Sequence, residues 1–138
     1  MVKLVLDTGT LAESFWDGPA KAVIGLWKSG EIILCVSQPL LREYAAIASK
    51  MGATAREKEE FVSLFSESPW VSTVGSAKRV DVIREDPTDD MFLDCAVAGG
   101  ADFLITKDEH LLGLESYRGI TIALPENFVK AHSVGYRH

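Results

Sequence analysis

Four acidic residues stand where an apolar strand ends or a helix begins, and their chemistry suits a divalent cation. They are Asp7 in VKLVLDT, Glu43 in SQPLLREYAA, Asp90 in DPTDDMFLDC and Asp108 in ITKDEHLL. Carboxylates are costly to remove from water unless something pairs with them. If the fold brings these four together, we expect a hard cation such as Mg²⁺ or Mn²⁺ beside them. Such a site would suit chemistry on phosphate esters.

Each of these acids also has an ordinary structural interpretation, which the sequence leaves open. Asp7 suits the N-cap of a helix that begins near Thr10. Glu43 lies at the border of a helix's buried face and suits a surface ion pair with a neighbour such as Arg42. Asp108 suits an exposed loop. It is the joint position of the acids that favours a functional interpretation.

The segment DPTDD carries a strong helix-start signal, which separates its acids by role. Asp86 suits the N-cap, Pro87 the first helical position, and Asp89 or Asp90 the positive end of the helix dipole, a role that explains Asp86 and Asp89. Asp94 lies one turn beyond Asp90 on the same face, where two like charges repel. A nearby cation would remove that conflict. We therefore predict Asp90 as a metal ligand and Asp94 as a helper.

Hydrophobic periodicity predicts strands that alternate with helices along the chain. The predicted strands are 2–6, 31–36, 70–74, 80–83, 103–106 and 120–123, with the last at a sheet edge. Predicted helices cover 20–29, 39–51, 54–66, 88–98 and 125–131, and a broken helical stretch follows the first strand. This alternation predicts one three-layer α/β domain over residues 1–138 with a parallel sheet. Ligands of such folds bind outside the carboxyl ends of the strands, where Asp7 and Asp108 fall.

The composition is that of an ordinary folded domain. Of 138 residues, 47% are hydrophobic and 25% charged, which excludes a disordered chain. The net charge of −6 argues against a broad basic surface for nucleic acid and leaves room for a basic protein partner. No apolar run approaches the roughly 18 residues that span a bilayer, and MVKLVLDTGT lacks signal-peptide features. We expect a cytoplasmic protein without membrane contact, in which Cys35 and Cys95 are buried thiols.

The motifs of this chain resemble those of the PIN domain, a nuclease fold common among bacterial and archaeal toxin components. VLDTGTL resembles the opening strand motif of that family, and SQPLLREYAAI resembles its second motif. DPTDDMFLDCAVAGGADFLITKDEHLL resembles its third and fourth motifs, including the alanine-rich helix and the Thr-x-Asp ending. The resemblance covers nearly the whole chain and implies an α/β/α fold with a central, mainly parallel sheet.

The resemblance also implies which residues carry the chemistry. It makes four acidic residues both metal ligands and catalytic residues: Asp7, Glu43, Asp90 and Asp108. Thr106 corresponds to the small hydroxyl residue near the family's site. One departure stands beside the first acid, where Gly9 replaces the Asn that usually helps to orient it. Because four carboxylates in one site repel each other, we expect a raised pKa for at least one of them without metal.

The activity implied by the resemblance is that of an Mg²⁺- or Mn²⁺-dependent endoribonuclease, the toxin component of a toxin–antitoxin system. The DPTDD form of the third motif in this chain is most similar to that of the PIN subgroup described as toxin–antitoxin components. RNA would be the substrate, and an antitoxin protein and a second copy of the chain would be partners. Cations such as Lys21, Arg42 and Lys107 would influence the choice of RNA. Candidate partner contacts are Phe15, Trp16 and Trp70.

Two other interpretations remain open at this point. One is a phosphorylatable receiver domain, which is also a small α/β protein with an acidic pocket. It is disfavoured because the first strand ends in Asp7-Thr8-Gly9 and not in an acidic pair. The other is a PIN-like module that binds RNA or protein without cutting, which the Gly9 departure and the acidic surface favour.

Overall fold

A central sheet of six strands organises the structure, which is a computed structural model describing residues 1–14, 18–75 and 87–136. Within those ranges, the structure describes only the backbone of residues 61, 62, 64, 87–90 and 133–136. The strands are β1 (Val2–Leu6), β2 (Ile32–Ser37), β3 (Val71–Val74), β4 (Phe103–Ile105), β5 (Ser116–Tyr117) and β6 (Ile120–Ala123).

Seven helices connect and cover these strands in the described part of the chain. They are α1 (Thr8–Glu13), α2 (Pro19–Lys28), α3 (Gln38–Lys50), α4 (Ala55–Glu67), α5 (Pro87–Gly99), α6 (Glu109–Leu112) and α7 (Pro125–Tyr136). Helix α2 packs against α7, while α3 packs against α4 and α5, so that two groups of helices surround the sheet. The predicted three-layer α/β/α architecture is confirmed. Among the described residues, no helix combines the length and the apolar character that crossing a membrane requires.

The order of the strands places a crevice beside β1. The sheet runs β3-β2-β1-β4-β6-β5, and every neighbouring pair is parallel except β5 and β6. From β1 the chain builds outward through β2 and β3 on one side, then crosses to β4 on the other. That reversal is a topological switch point, where open α/β sheets bind ligands at the carboxyl ends of their strands.

The prediction that 120–123 forms an edge strand is wrong. Strand β6 lies between β4 and the two-residue β5, which is the edge strand and pairs antiparallel with β6. A turn at Arg118 and Gly119 joins them, with φ of 50° and 83°. Positive φ at both central residues is the geometry of a tight hairpin turn. A two-residue strand is too short to show a hydrophobic period, so the sequence does not predict β5. The predicted strand 80–83 lies outside the described residues.

The innermost strand is buried on both faces, as its apolar sequence predicts. Leu4, Val5 and Leu6 are at most 1% exposed, although successive side chains of a strand point to opposite faces. Cys35 and Cys95 are buried free thiols, which confirms their prediction. Burial raises the pKa of the Cys95 thiol to about 12, so this sulfur is un-ionised at neutral pH.

The aromatic residue Trp70 packs within the chain. It is half-buried against the core, and its backbone carbonyl accepts a hydrogen bond from Trp27 Nε1 at 3.0 Å. Gly30, which ends the turn after α2 with φ of 79°, lies under the Trp70 ring, where a Cβ would come within 2.8 Å. Of the predicted partner contacts, Phe15 and Trp16 lie outside the described residues.

Candidate active site

A cavity of about 300 Å³ opens at the carboxyl ends of β1 and β4, and three of the four predicted acids line it. These are Asp7, Glu43 and Asp108, which come from the end of β1, from α3 and from the start of α6. The other residues of its wall are Thr8, Gly9, Thr10, Glu13, Phe92 and Lys107. The fold therefore brings together acids that are up to about a hundred positions apart in the sequence, at the edge where the strand pattern predicts a site.

Asp7 is both the N-cap of α1 and a wall of the cavity. Its Oδ1 accepts a hydrogen bond from the backbone N–H of Thr10 at 2.7 Å, and its own N–H donates to the carbonyl of Ile105 at 3.1 Å. The residue is 6% exposed. The capping interpretation is thus confirmed, and it does not compete with a functional one, because the cap fixes the carboxylate at the cavity.

Thr106 connects two of the acids. Its side chain is completely buried, and its hydroxyl donates a hydrogen bond to Asp7 Oδ2. The same hydroxyl oxygen accepts from the backbone N–H of Asp108 at 2.9 Å. One side chain at the end of β4 therefore sets the position of Asp7 relative to Asp108.

Asp108 is held in place by α6, so the exposed-loop interpretation is wrong. It is the N-cap of that helix, and its Oδ1 accepts hydrogen bonds from the N–H groups of His110 at 2.8 Å and Leu111 at 3.4 Å. Its side chain is 31% exposed. The carboxylate is partly covered and still accessible from the cavity.

Glu43 reaches the cavity because its neighbour anchors α3 to the end of β1. The hydroxyl of buried Tyr44 donates a hydrogen bond to the carbonyl of Leu6 at 2.5 Å. Leu6 precedes Asp7 in the chain, so this bond brings the first turns of α3 to the first acid. Ser37 is the N-cap of α3, and its Oγ accepts from the N–H of Leu40 at 3.3 Å. Glu43 is half-buried, at the border of the buried face where the sequence places it.

The electrostatics of the cavity favour a proton or a cation on Asp7. Burial is the main cause that raises the pKa of Asp7, and the negative charge of Asp108 acts in the same direction. Hydrogen bonds from Thr106 and from the Thr10 backbone oppose these effects without cancelling them. The expectation of a raised pKa is confirmed, but desolvation contributes more to it than repulsion between the acids.

An ion pair between Lys107 and Glu13 crosses the wall of the cavity. Lys107 Nζ lies 3.0 Å from Glu13 Oε2, and the two side chains are 48% and 49% exposed. The hydrogen bond and the charge of Glu13 raise the pKa of Lys107 above its usual value. The cavity therefore carries one ammonium group beside its carboxylates.

Comparison with known proteins agrees with this geometry. The family model of the PIN domain matches residues 3–110, which include most of β1, the cavity acids and the start of α6. The chain belongs to the PIN domain family. Members of this family are generally nucleases that use divalent metals. A comparison with curated proteins finds no match.

Membership of the PIN family, together with the sheet order, contradicts the receiver-domain interpretation. A receiver-type sheet runs 2-1-3-4-5, so its first strand lies between the second and the third. Here β1 lies between β2 and β4. The acidic pocket is therefore built on a different topology.

Of the two site residues predicted from the third PIN motif, the structure describes the side chain of Asp94 but not that of Asp90. Asp90 is the fourth residue of α5, and its side chain lies outside the described residues. Asp94, the predicted helper, lines a neighbouring cavity of about 350 Å³ with residues that include Ser37 and Arg42. The structure thus places Asp94 on a different cavity from Asp7.

Gly9 leaves room for the residue that the PIN family usually has. A Cβ built at Gly9 would lie 3.8 Å from Asp7 Oδ1, an ordinary van der Waals distance. The orientation of Asp7 is set instead by the Thr10 backbone and the Thr106 hydroxyl. The absence of Asn at this position therefore does not leave the first acid unsupported.

The residues of the cavity fit a hard divalent cation by their chemistry. Carboxylate oxygens are the ligands that Mg²⁺ and Mn²⁺ prefer. The buried hydroxyl of Thr8 finds no hydrogen-bond partner among the described residues, so it is also available on this wall. Within the described part of the chain, no three acidic, histidine or cysteine side chains form a group able to hold a metal ion. That statement does not include Asp90, the fourth acid of the PIN motifs, because its side chain lies outside the described residues.

Some residues of this site escape sequence reasoning. Tyr44 reads as one more apolar position of α3, and Glu13 as a surface acid at the end of α1. The contact of each is long-range, with Leu6 and with Lys107, and no local pattern reports it. Thr10 carries a signal that could have been used, since the third residue of a helix commonly donates its N–H to an N-cap acid.

Proposed function

We propose that this PIN domain is a metal-dependent endoribonuclease that hydrolyses RNA phosphodiester bonds at the cavity between β1 and β4. The observation that carries the proposal is the arrangement of Asp7 and Asp108, which line one cavity and are joined through the buried hydroxyl of Thr106. Carboxylates whose pKa is strongly shifted cluster at functional sites, and burial raises the pKa of Asp7.

The residues have distinct roles in this proposal. Asp7, Asp90 and Asp108 hold one or two Mg²⁺ or Mn²⁺ ions, and Glu43 is either a direct ligand or the holder of a bound water. Bound metal would lower the pKa of water and neutralise charge on the leaving oxygen. Thr106 keeps the first acid in place while its other hydrogen bond fixes the start of α6. The Thr10 N–H holds Oδ1 of Asp7 at the start of α1.

The proposals of an RNA substrate and of a toxin role rest on the third motif, DPTDD. This motif is most similar to that of the toxin–antitoxin components of the PIN family. A net charge of −6 supports capture of the substrate by few contacts instead of a broad basic surface. The same charge suits a basic antitoxin segment as partner. We propose a cytoplasmic toxin that acts as a homodimer.

A second candidate is a PIN domain that binds RNA or protein without cutting it. One observation favours it: the described acids do not by themselves form a group able to hold a metal ion. The two candidates differ in what Asp90 must do, because only the nuclease requires its carboxylate.

Incubation of a diverse RNA pool with Mg²⁺ or Mn²⁺ separates these candidates. The nuclease proposal expects cleavage by the wild type and none by Asp90→Asn. Asp102→Asn is a matched control. Asp102 is an exposed acid at the amino ends of β1 and β4, opposite to the carboxyl ends that form the cavity. Its Oδ2 accepts a hydrogen bond from the Lys3 N–H at 2.9 Å. Equal cleavage by wild type and Asp90→Asn would identify a contaminating nuclease, and no cleavage by either would favour the binding module.

A further inference from the structure

Building on the proposed nuclease function, we propose that Lys107 binds a phosphate of the RNA strand at the mouth of the acidic cavity. In the free protein Glu13 is the counter-ion of Lys107, and the RNA phosphate replaces it. Lys107 is thus a substrate-binding residue, and Glu13 is a competitor that lowers the affinity for RNA.

Negative charge dominates the lining of the cavity. Four carboxylates line it, from Asp7, Glu13, Glu43 and Asp108, and Lys107 is the one cation among the described lining residues. A phosphodiester carries a negative charge, so these acids repel it except where a cation neutralises them. The Lys107 ammonium is the group of this wall that attracts RNA.

The backbone of Lys107 is held on both sides by regular structure. The residue lies between Thr106, whose N–H donates to the Ala123 carbonyl at 3.0 Å, and Asp108, the N-cap of α6. Its backbone is therefore fixed by β4 on one side and by a helix on the other. Its side chain is 48% exposed, so the ammonium group is accessible from solution.

Glu13, the ion-pair partner of Lys107, holds it only weakly. Glu13 is the last residue of α1 and is 49% exposed, with Oε2 at 3.0 Å from Lys107 Nζ. Exposed ion pairs of this kind contribute little to stability, because water screens them and ordering the two side chains costs entropy. A phosphate bound at the cavity would offer the same ammonium an alternative charge-assisted hydrogen bond. The ion pair with Glu13 therefore keeps Lys107 at the mouth of the cavity and leaves it able to bind another anion.

The two residues of the pair therefore have opposite effects on RNA binding. Lys107→Gln removes the attraction and should weaken binding of a short single-stranded RNA by about three- to ten-fold. It should also reduce the slope of log affinity against log salt by about 0.7, the value for one contact to a single strand. Glu13→Gln releases the ammonium and should tighten binding by about two- to five-fold.

The test is fluorescence anisotropy with a labelled single-stranded RNA oligonucleotide in EDTA, where metal-dependent cleavage does not occur. Lys107→Arg should preserve most of the affinity, since it keeps the charge. Lys28→Gln is the matched control, because it removes an exposed positive charge at the end of α2, near the opposite edge of the sheet. It should bind RNA as the wild type does, and melting temperatures should show that every variant is folded.

The double variant Lys107→Gln/Glu13→Gln identifies the mechanism. If Glu13 acts by occupying Lys107, its removal should give no gain in affinity once Lys107 is gone. A gain of equal size in both backgrounds would overturn the competition, because it would reflect general repulsion of RNA by acids. Wild-type affinity in Lys107→Gln, or no measurable binding by the wild type, would overturn the phosphate contact.

Cleavage measured in parallel separates this inference from the proposed function. If the wild type binds RNA through Lys107 but does not cut it with Mg²⁺ or Mn²⁺, the phosphate contact stands and the nuclease proposal fails. If the wild type cuts RNA and Lys107→Gln has the same KM and salt dependence, the nuclease proposal stands and this inference fails. The inference expects Lys107→Gln to raise KM more than it lowers kcat.

Discussion

The hydroxyl of Thr106 donates a hydrogen bond to the carboxylate of Asp7, although 99 positions separate the two residues in the chain. The parallel pairing of β1 with β4 makes this contact possible, because it brings Leu6 opposite Ile105 and the two strand ends to the same edge. Thr106 also accepts from the N–H of Asp108, so both acids depend on one buried hydroxyl. The relative position of the acids is thus a property of the sheet and not of a flexible loop.

Thr106→Val should separate the two acids while it preserves the shape of the side chain. The substitution leaves Asp7 Oδ2 and the Asp108 N–H without their hydrogen-bond partner, at a cost of about 1–3 kcal/mol in the free energy of unfolding, while Asp7 Oδ1 keeps its bond from the Thr10 N–H. Chemical denaturation measures this loss, and the RNA cleavage rate should fall with it. Thr121→Val, at an exposed position of β6, is the control and should change neither. Full activity in Thr106→Val would show that the acids are positioned by other contacts.

Asp7→Asn should abolish cleavage and raise the melting temperature of the metal-free protein at neutral pH. The pKa of Asp7 is raised in the folded state, chiefly by burial, so the folded protein holds the proton more tightly than the unfolded chain. The stabilisation due to this proton is complete below the ordinary value of 3.8 and is lost as pH rises through the higher folded pKa. The neutral amide carries no such cost.

Melting temperatures measured against pH check this sign. The advantage of Asp7→Asn over the wild type should disappear as the pH falls below the ordinary Asp range. Asp102→Asn makes the same chemical change at an exposed residue and should show no comparable gain. If Asp7→Asn were less stable than the wild type at neutral pH, the hydrogen bonds to the carboxylate would outweigh its desolvation.

Mn²⁺ should stabilise the wild-type protein and leave Asp7→Asn almost unchanged. A ligand at a hundred times its dissociation constant adds about 2.7 kcal/mol to the free energy of unfolding, which corresponds to several degrees in melting temperature. Thermal melts at increasing Mn²⁺ concentration measure this effect, with Asp102→Asn expected to respond like the wild type. A wild-type melting temperature that does not move with saturating Mn²⁺ would remove the metal from the account.

Tyr44→Phe should loosen the contact between α3 and the end of β1. The Tyr44 hydroxyl is buried and bonds the Leu6 carbonyl at 2.5 Å, so its loss should cost about 1–2 kcal/mol of stability. Because Glu43 is the preceding residue, cleavage should also slow. Tyr117→Phe, in the edge strand β5, is the control for a half-buried hydroxyl far from the cavity. An unchanged cleavage rate in Tyr44→Phe would mean that Glu43 needs no such support.

Much of this arrangement follows from local sequence pattern. Asp7 and Asp108 were predicted at the functional edge because each follows a buried strand, and parallel strands end at a common edge. The nearness of Glu43 to Asp7 was not predictable from residues alone, because it depends on the contact between Tyr44 and Leu6 across two elements. Local pattern also gave no sign of the ion pair between Glu13 and Lys107. Such contacts depend on tertiary packing, which no local period encodes.

The central claim is that the cavity acids direct water, with a bound metal, at an RNA phosphodiester. Mass spectrometry of the RNA ends produced in ¹⁸O-labelled water with Mn²⁺ tests it most directly. The account predicts that wild-type cleavage gives linear phosphate ends that carry one labelled oxygen, without a 2′,3′-cyclic phosphate intermediate. Asp7→Asn and the wild type in EDTA should give no new ends. Two results would contradict the account. Cyclic phosphate ends would show that the 2′-hydroxyl attacks the phosphate in place of water. Cleavage that persists in EDTA would show that the reaction does not require metal.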